Sequence, residues 1–258
     1  MIAPLGGDNT SMNRIALLLL VAVLAGCSKS PAAADEPDLQ TPRYAPAAPV
    51  AAAPAAPSAD TRVRDALTSV QKLRDSGSTA DCQLMFRYVK DDGTKEWIRS
   101  HYKYQKPKRN SVELLTGSDS KVEGTQLIWT GGSKVKVHTK FVGFWLNIEL
   151  GLEDERLKDP VGYRLDQTSI DKVFDTILCP QNQVTYKADG NLNGRVMAVL
   201  DIVSPLSLKP TTREVIGIEK ATGVPLIREM YKGDKLFFRM QTETNKLNPK
   251  LTTKDFEL

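Results

Sequence analysis

Hydrophobic and polar positions change their period along this chain, and the changes mark out its elements. Between residues 62 and 73, Val63, Leu67, Val70 and Leu73 recur at the spacing that places side chains on one face of a helix, with Asp60 or Thr61 as the N-cap. The period then drops to two. Cys82, Leu84, Phe86 and Tyr88 alternate with Gln83, Met85 and Arg87, and Asp91-Asp92-Gly93 supplies turn residues. Ile98, Ser100, Tyr102 and Tyr104 then alternate with Trp97, Arg99, His101 and Lys103, so the pair predicts a hairpin with one wet face. The alternation continues through 111–115, 126–129 and 134–139 as an antiparallel meander. A strongly apolar stretch at 141–152 and a polar one at 153–167 follow, and 169–178 carries Ile170, Val173, Phe174 and Ile177 at helical offsets. This middle section is predicted to interrupt the sheet with one or more helices. Strands resume at 184–186, 195–203, 213–219, 225–231 and 235–242, with turns at Asp189-Gly190, Thr222-Gly223 and Gly233-Asp234. No internal repeat is present.

Upstream of this pattern the chain has a different character. The apolar run 15–24 follows Arg14 and is about ten residues long, which suits a signal-peptide core and falls short of the roughly 20 residues of a spanning helix. It closes on Leu24-Ala25-Gly26-Cys27, which resembles the lipobox of bacterial lipoprotein signal peptides. That resemblance implies a signal peptide at 1–26, cleavage before Cys27, and acylation of Cys27 with palmitate-type chains that hold the protein to a membrane. Met12-Asn13-Arg14 gives a short cationic start and is the expected initiation site in preference to Met1. Ser28 stands where enterobacterial lipoproteins kept at the inner membrane carry Asp, so the resemblance implies the periplasmic face of the outer membrane. Residues 28–60 hold 7 of the 15 prolines and 12 alanines, without an apolar period, and read as a disordered tether. Proline-rich chain of that length reaches on the order of 100 Å when extended.

The remaining residues, 61–258, are of one-domain size and carry 32 Lys+Arg against 26 Asp+Glu. The excess is spread along the chain without the clustered stripe of a nucleic-acid binder, so no nucleic-acid partner is expected. With Cys27 acylated, Cys82 and Cys179 allow one intramolecular pairing in an oxidising envelope, closing a loop of about 100 residues, or they are two separate buried thiols. His101 and His138 lie on the polar sides of strands without Cys or His at metal-ligand spacing, so no metal is expected. Glu153-Asp154-Glu155 reads as a solvated face. There is no Gly-x-Ser-x-Gly, phosphate-binding loop or dinucleotide fingerprint, and neither a catalytic residue nor a cofactor is expected.

Many antiparallel strands interrupted by helices predict an α+β half-barrel, a curved sheet wrapped around helices on its concave face. The stretch Ile216-Gly217-Ile218-Glu219-Lys220-Ala221-Thr222-Gly223-Val224-Pro225-Leu226-Ile227-Arg228-Glu229-Met230-Tyr231, the strand 237–241, Leu247-Asn248-Pro249 and Phe256 resemble the C-terminal half of the LolA/LolB-like lipoprotein-carrier superfamily. Pro107-Lys108-Arg109 and Leu127-Ile128-Trp129 fit its early hairpins, so the resemblance covers roughly 65–258. It implies a cleft between sheet and helices that accepts acyl chains. Alternation places Leu84, Phe86, Tyr102, Val112, Leu114 and Leu127 on the concave side, followed by Trp129, Val135 and Val137. In the C-terminal half the same side takes Ala198, Leu200, Ile216 and Ile218, then Leu236, Phe238 and Met240. These positions either line the cleft or pack as core against the helices.

The patch Phe141-Val142-Gly143-Phe144-Trp145-Leu146 reads as a lid helix or loop, as a membrane contact like the protruding apolar loop of LolB-like carriers, or as a cover for the core. The expected function is that of a non-enzymatic envelope lipoprotein binding or carrying a lipid, a lipoprotein acyl chain or another long apolar ligand. The alternative is an envelope protein-binding or sensor module with the same fold, and a hydrolase or transferase acting on envelope glycans or lipids is a third class.

Overall fold

The computed structural model describes residues 58–141 and 143–258. The expected signal peptide, Cys27 and nearly all of the tether lie outside the described residues. The first element, α1 (Ala59–Ser76), begins earlier than its apolar stripe predicts. Ser58 is the N-cap, accepting the Thr61 N–H at 3.3 Å, and Asp60 lies in the first turn, where a negative charge suits the helix dipole.

Eleven antiparallel strands follow as β1 (Thr79–Val89), β2 (Lys95–Gln105), β3 (Arg109–Gly117), β4 (Gln126–Trp129), β5 (Lys134–Phe141), β6 (Phe144–Gly151), β7 (Gln183–Leu192), β8 (Arg195–Val203), β9 (Arg213–Glu219), β10 (Pro225–Lys232) and β11 (Lys235–Leu247). They form one open sheet in the order β6-β5-β4-β3-β2-β1-β11-β10-β9-β8-β7. Two meanders, β1–β6 and β7–β11, are therefore joined where the first strand pairs with the last, with Phe86 opposite Met240 and Tyr88 opposite Phe238. The chain crosses between the outer strands β6 and β7 through a 3-10 turn at Glu155–Leu157 and α2 (Ile170–Ile177). The curved α+β sheet predicted from the alternation is the observed fold.

Two local expectations are corrected. The apolar stretch after residue 141 does not break the sheet; it forms edge strand β6, in which Leu146, Ile148 and Leu150 take one face at period two. Asp189-Gly190 is not a turn, because β7 continues through it to Leu192 and reverses at Asn193-Gly194. Gly190 suits a strand here because Met197 of β8 lies over it; a Cβ would come within 2.7 Å of the Met197 Cε.

Both helices pack on the β7–β10 half, with the start of α2 reaching over to β2. Val70 of α1 and Ile177 of α2 meet Leu200, Ile202, Ile216 and Leu226 in a cluster from which water is excluded. The β9–β10 turn approaches α1 so closely that a Cβ on Gly223, whose φ is +78°, would lie 2.4 Å from the Ser69 carbonyl oxygen. Glu214 and Arg228 are buried together on β9 and β10, the guanidinium donating from Nε at 2.7 Å and from Nη2 at 3.2 Å, and Ser207 Oγ donates to the same carboxylate. That second donor satisfies a lone pair that burial would otherwise leave empty.

The expected Cys82–Cys179 bridge is not formed. Both cysteines are free and buried. Cys82 packs in β1 with Leu84, Tyr102 and Val112, whereas Cys179 follows α2 and its Sγ donates to Gln181 Oε1. Burial pushes the Cys82 thiol up to about 12, so it is a neutral apolar wall residue.

Candidate ligand cleft

Helices leave the other half of the concave face uncovered, and a cavity of about 870 Å³ occupies the space. That volume falls in the ~300–1,000 Å³ range of small-molecule sites. Strand alternation builds its floor. Leu84 and Phe86 enter from β1, Tyr102 from β2, Leu114 from β3, and Phe238 and Met240 from β11. Val112, Leu127 and Val137 continue the wall through β3, β4 and β5. The rings of Tyr88 and Phe238 meet edge to face at 5.5 Å, and Phe86 lies 6.2 Å from Phe238, so aromatic contacts span the β1–β11 junction.

The opposite wall comes from the polar stretch before α2, which contributes Leu157, Tyr163 and Leu165. One end is closed by the start of α2, where Ile170 and Val173 face the cavity. Tyrosines of β2 hold it there: the Ile170 N–H donates to Tyr102 Oη at 3.4 Å, and Tyr104 Oη donates to Asp171 Oδ1 at 2.7 Å. Tyr102 Oη in turn donates to Asn110 Oδ1. Burial raises both phenols well above their usual range, so they stay protonated donors.

The other end carries the charge. Lys95 and Glu96 at the start of β2, Asp119 and Lys121 around the 3-10 turn Ser120–Val122, and Arg156, Lys158 and Asp159 from the crossing segment all border it. Asp159 Oδ1 accepts the Val161 and Tyr163 N–H groups at 3.1 and 2.8 Å. Desolvation outweighs these bonds and lifts its carboxyl to about 6.

Several residues expected at the cleft lie elsewhere. Leu200 and Ile218 are fully buried beneath the helices, as are Ala198 and Ile216. Trp129 packs beside the cleft with Val135 and Leu157, and its indole N–H donates to the Gly132 carbonyl at 2.7 Å. Alternation shows which face a residue takes, but not which half of the sheet the helices cover. Sequence reasoning missed the opposite wall and the charged end. The period-two run Leu146, Ile148, Leu150, Leu152 was a usable signal for β6, whose Ile148 and Leu150 also line the cavity.

The aromatic patch expected as a lid is the β5–β6 hairpin. Phe144 is 53% and Trp145 47% exposed, and the Trp145 indole stacks on His138 at 4.7 Å. Leu146 is half-buried, and the side chain of Phe141 and all of Val142 lie outside what is described. His138 also contacts Asn147, and His101 lies on Asp81 at 2.8 Å. Among the described residues, no group of three His, Cys, Asp or Glu side chains is arranged to hold a metal, and no helix is long and apolar enough to cross a membrane. Glu153, Asp154 and Glu155 are engaged by Arg164, Arg156 and Lys158 respectively.

The chain has distant matches among solved structures. The chain is similar to LolA-superfamily structures. One is a LolA superfamily protein of Nitrosomonas europaea, at 12% identity over 79% of this chain and 99% of that one, with a TM-score of 0.35. The lipoprotein LppX of Mycobacterium tuberculosis matches at 10% identity over 76% and 99%, with a TM-score of 0.47. A conserved protein of Thermus thermophilus matches at 12% identity over 75% and 91%, with a TM-score of 0.48. No protein-family model and no curated protein sequence matches the chain.

Proposed function

We propose that this protein is a non-enzymatic lipoprotein of the bacterial envelope that binds a lipid, a lipoprotein acyl chain or another long apolar ligand in the cleft. The observation that carries the reading is the cavity of about 870 Å³, walled by Leu84, Phe86, Leu114, Phe238 and Met240 and left open at one end. Each methylene buried there contributes about 0.8 kcal/mol, so chain length sets affinity while the apolar wall leaves the ligand free to slide out. In this reading Cys27 carries the acyl anchor at the periplasmic face of the outer membrane, and the Pro/Ala-rich stretch lets the domain work at a distance from it. The exposed Phe144 and Trp145 favour a second reading, in which the β5–β6 hairpin contacts an envelope protein.

The test uses the full chain with Cys27→Ala, which removes the anchor, recovered from a bacterial host without detergent. Native mass spectrometry is expected to find adducts in the mass range of fatty acids or phospholipids, lost in Leu114→Arg. The unaltered chain is expected to incorporate labelled palmitate at Cys27. A cleft that stays empty after incubation with lipid vesicles would refute lipid binding and leave the protein-contact reading.

A further inference from the structure

The cleft is apolar along its length but not at both ends, and the asymmetry specifies more than hydrophobicity. At the end closed by α2, the tyrosine hydroxyls are spent on Asn110 and Asp171. At the open end most of the charges are spent as well. Glu96 is paired with Lys90, Arg156 with Asp154, and Lys158 with Glu155 at 2.6 Å, while Asp159 is held by two backbone N–H groups. Asp119 Oδ1 accepts the backbone N–H of Lys121 at 3.0 Å. Among the described residues, Lys95 and Lys121 are the bordering cations without a carboxylate partner. They come from different elements, the start of β2 and the 3-10 turn after β3, and both border the same cavity.

We infer that Lys95 and Lys121 form a headgroup site at the mouth of the cleft, selecting an anionic amphiphile that enters tail first toward α2 and leaves its phosphate or carboxylate between the two ammonium groups. This rests on the cleft binding apolar chains, and adds the class of ligand and its direction. Lysine suits the role, since a compact charge on a flexible stem follows a headgroup without fixing its geometry.

The experiment compares short-chain phosphatidylglycerol and phosphatidylcholine bearing the same acyl chains, each below its micelle concentration, by titration calorimetry on the full chain with Cys27→Ala. Exposed ion pairs of this kind support a preference of about three- to tenfold for phosphatidylglycerol, shrinking with added salt. The Lys95→Gln, Lys121→Gln double variant is expected to lose the preference. Equal binding of both lipids by the parent chain, or a preference that survives in the double variant, would overturn the headgroup site while the cleft reading stands. Displacement of the lipid by millimolar inorganic phosphate would point to a site for the free anion and also overturn it. If neither lipid binds, the cleft reading fails and the headgroup site with it.

Discussion

Single residues in this protein are tuned by where the cleft admits or excludes water, and Asp159 shows it best. Its carboxyl, lifted to about 6 from 3.8 by desolvation, is more easily protonated in the folded chain than in the unfolded one. Stability from that difference is fully present below the unfolded value and is lost as pH rises through about 6. Asn in its place keeps an oxygen for the Val161 and Tyr163 N–H groups and carries no charge. Asp159→Asn is therefore expected to stabilise the fold at pH 7.5 by about 1–3 kcal/mol and to leave it unchanged near pH 3.5, as urea midpoints at the two pH values would show. An equal gain at both would place the cause in packing. Nothing in the linear sequence marked this residue. Asp159-Pro160 reads as ordinary turn chemistry, and Tyr88, whose phenol senses the Asp159 charge, comes near it only in three dimensions.

Elements were more legible than single sites, because each strand's inward face is written in its own alternation. Every strand from β1 to β5 and from β8 to β11 has an expected counterpart in the sequence, with ends displaced by a few residues. Where the reading failed, tertiary contact had overridden a local rule. Gly190 suggested a turn and serves instead to admit Met197, and the apolar 141–152 stretch suggested a helix although its alternation supports edge strand β6. Gly223 is a turn residue that the sequence did identify, but its second duty is tertiary. Gly223→Ala would place a Cβ against the Ser69 carbonyl while holding a left-handed φ. The expected cost is ~2 kcal/mol or more, read as a lower thermal midpoint with the α1 contact loosened. Ala in the open turn at Gly233, where no atom lies within 4 Å, is expected to cost only the conformational strain, about 1 kcal/mol.

Across the whole molecule, one curved sheet serves two purposes because the helices cover only half of it. The β7–β10 half is a conventional core, and the β1–β5 half with β11 keeps its apolar face available. The two halves should therefore answer the same substitution differently. Leu200→Arg buries an unpaired charge under α1 and α2 and is expected to abolish folding, whereas Leu114→Arg should leave the circular dichroism spectrum and melting transition nearly intact while emptying the cleft. Comparable loss of fold in both would mean that the β1–β5 face is core too. Sequence alternation could not separate these cases, since Leu114 and Leu200 occupy equivalent inward positions and differ only in what the chain later lays over them.

The pairing of β1 with β11 has a temporal side. The strand that begins the sheet waits for its partner until β11 has been made, and Phe238 and Met240 reach Tyr88 and Phe86 only across some 150 intervening residues. Contacts so distant in sequence form slowly, after the costly closure of a long loop. A chain emerging N-terminus first can assemble the β1–β4 meander early, but it holds a sticky, one-sided trough until the last strand arrives. The interval between those events is when this protein is most exposed to aggregation, and when a chaperone would have most to protect.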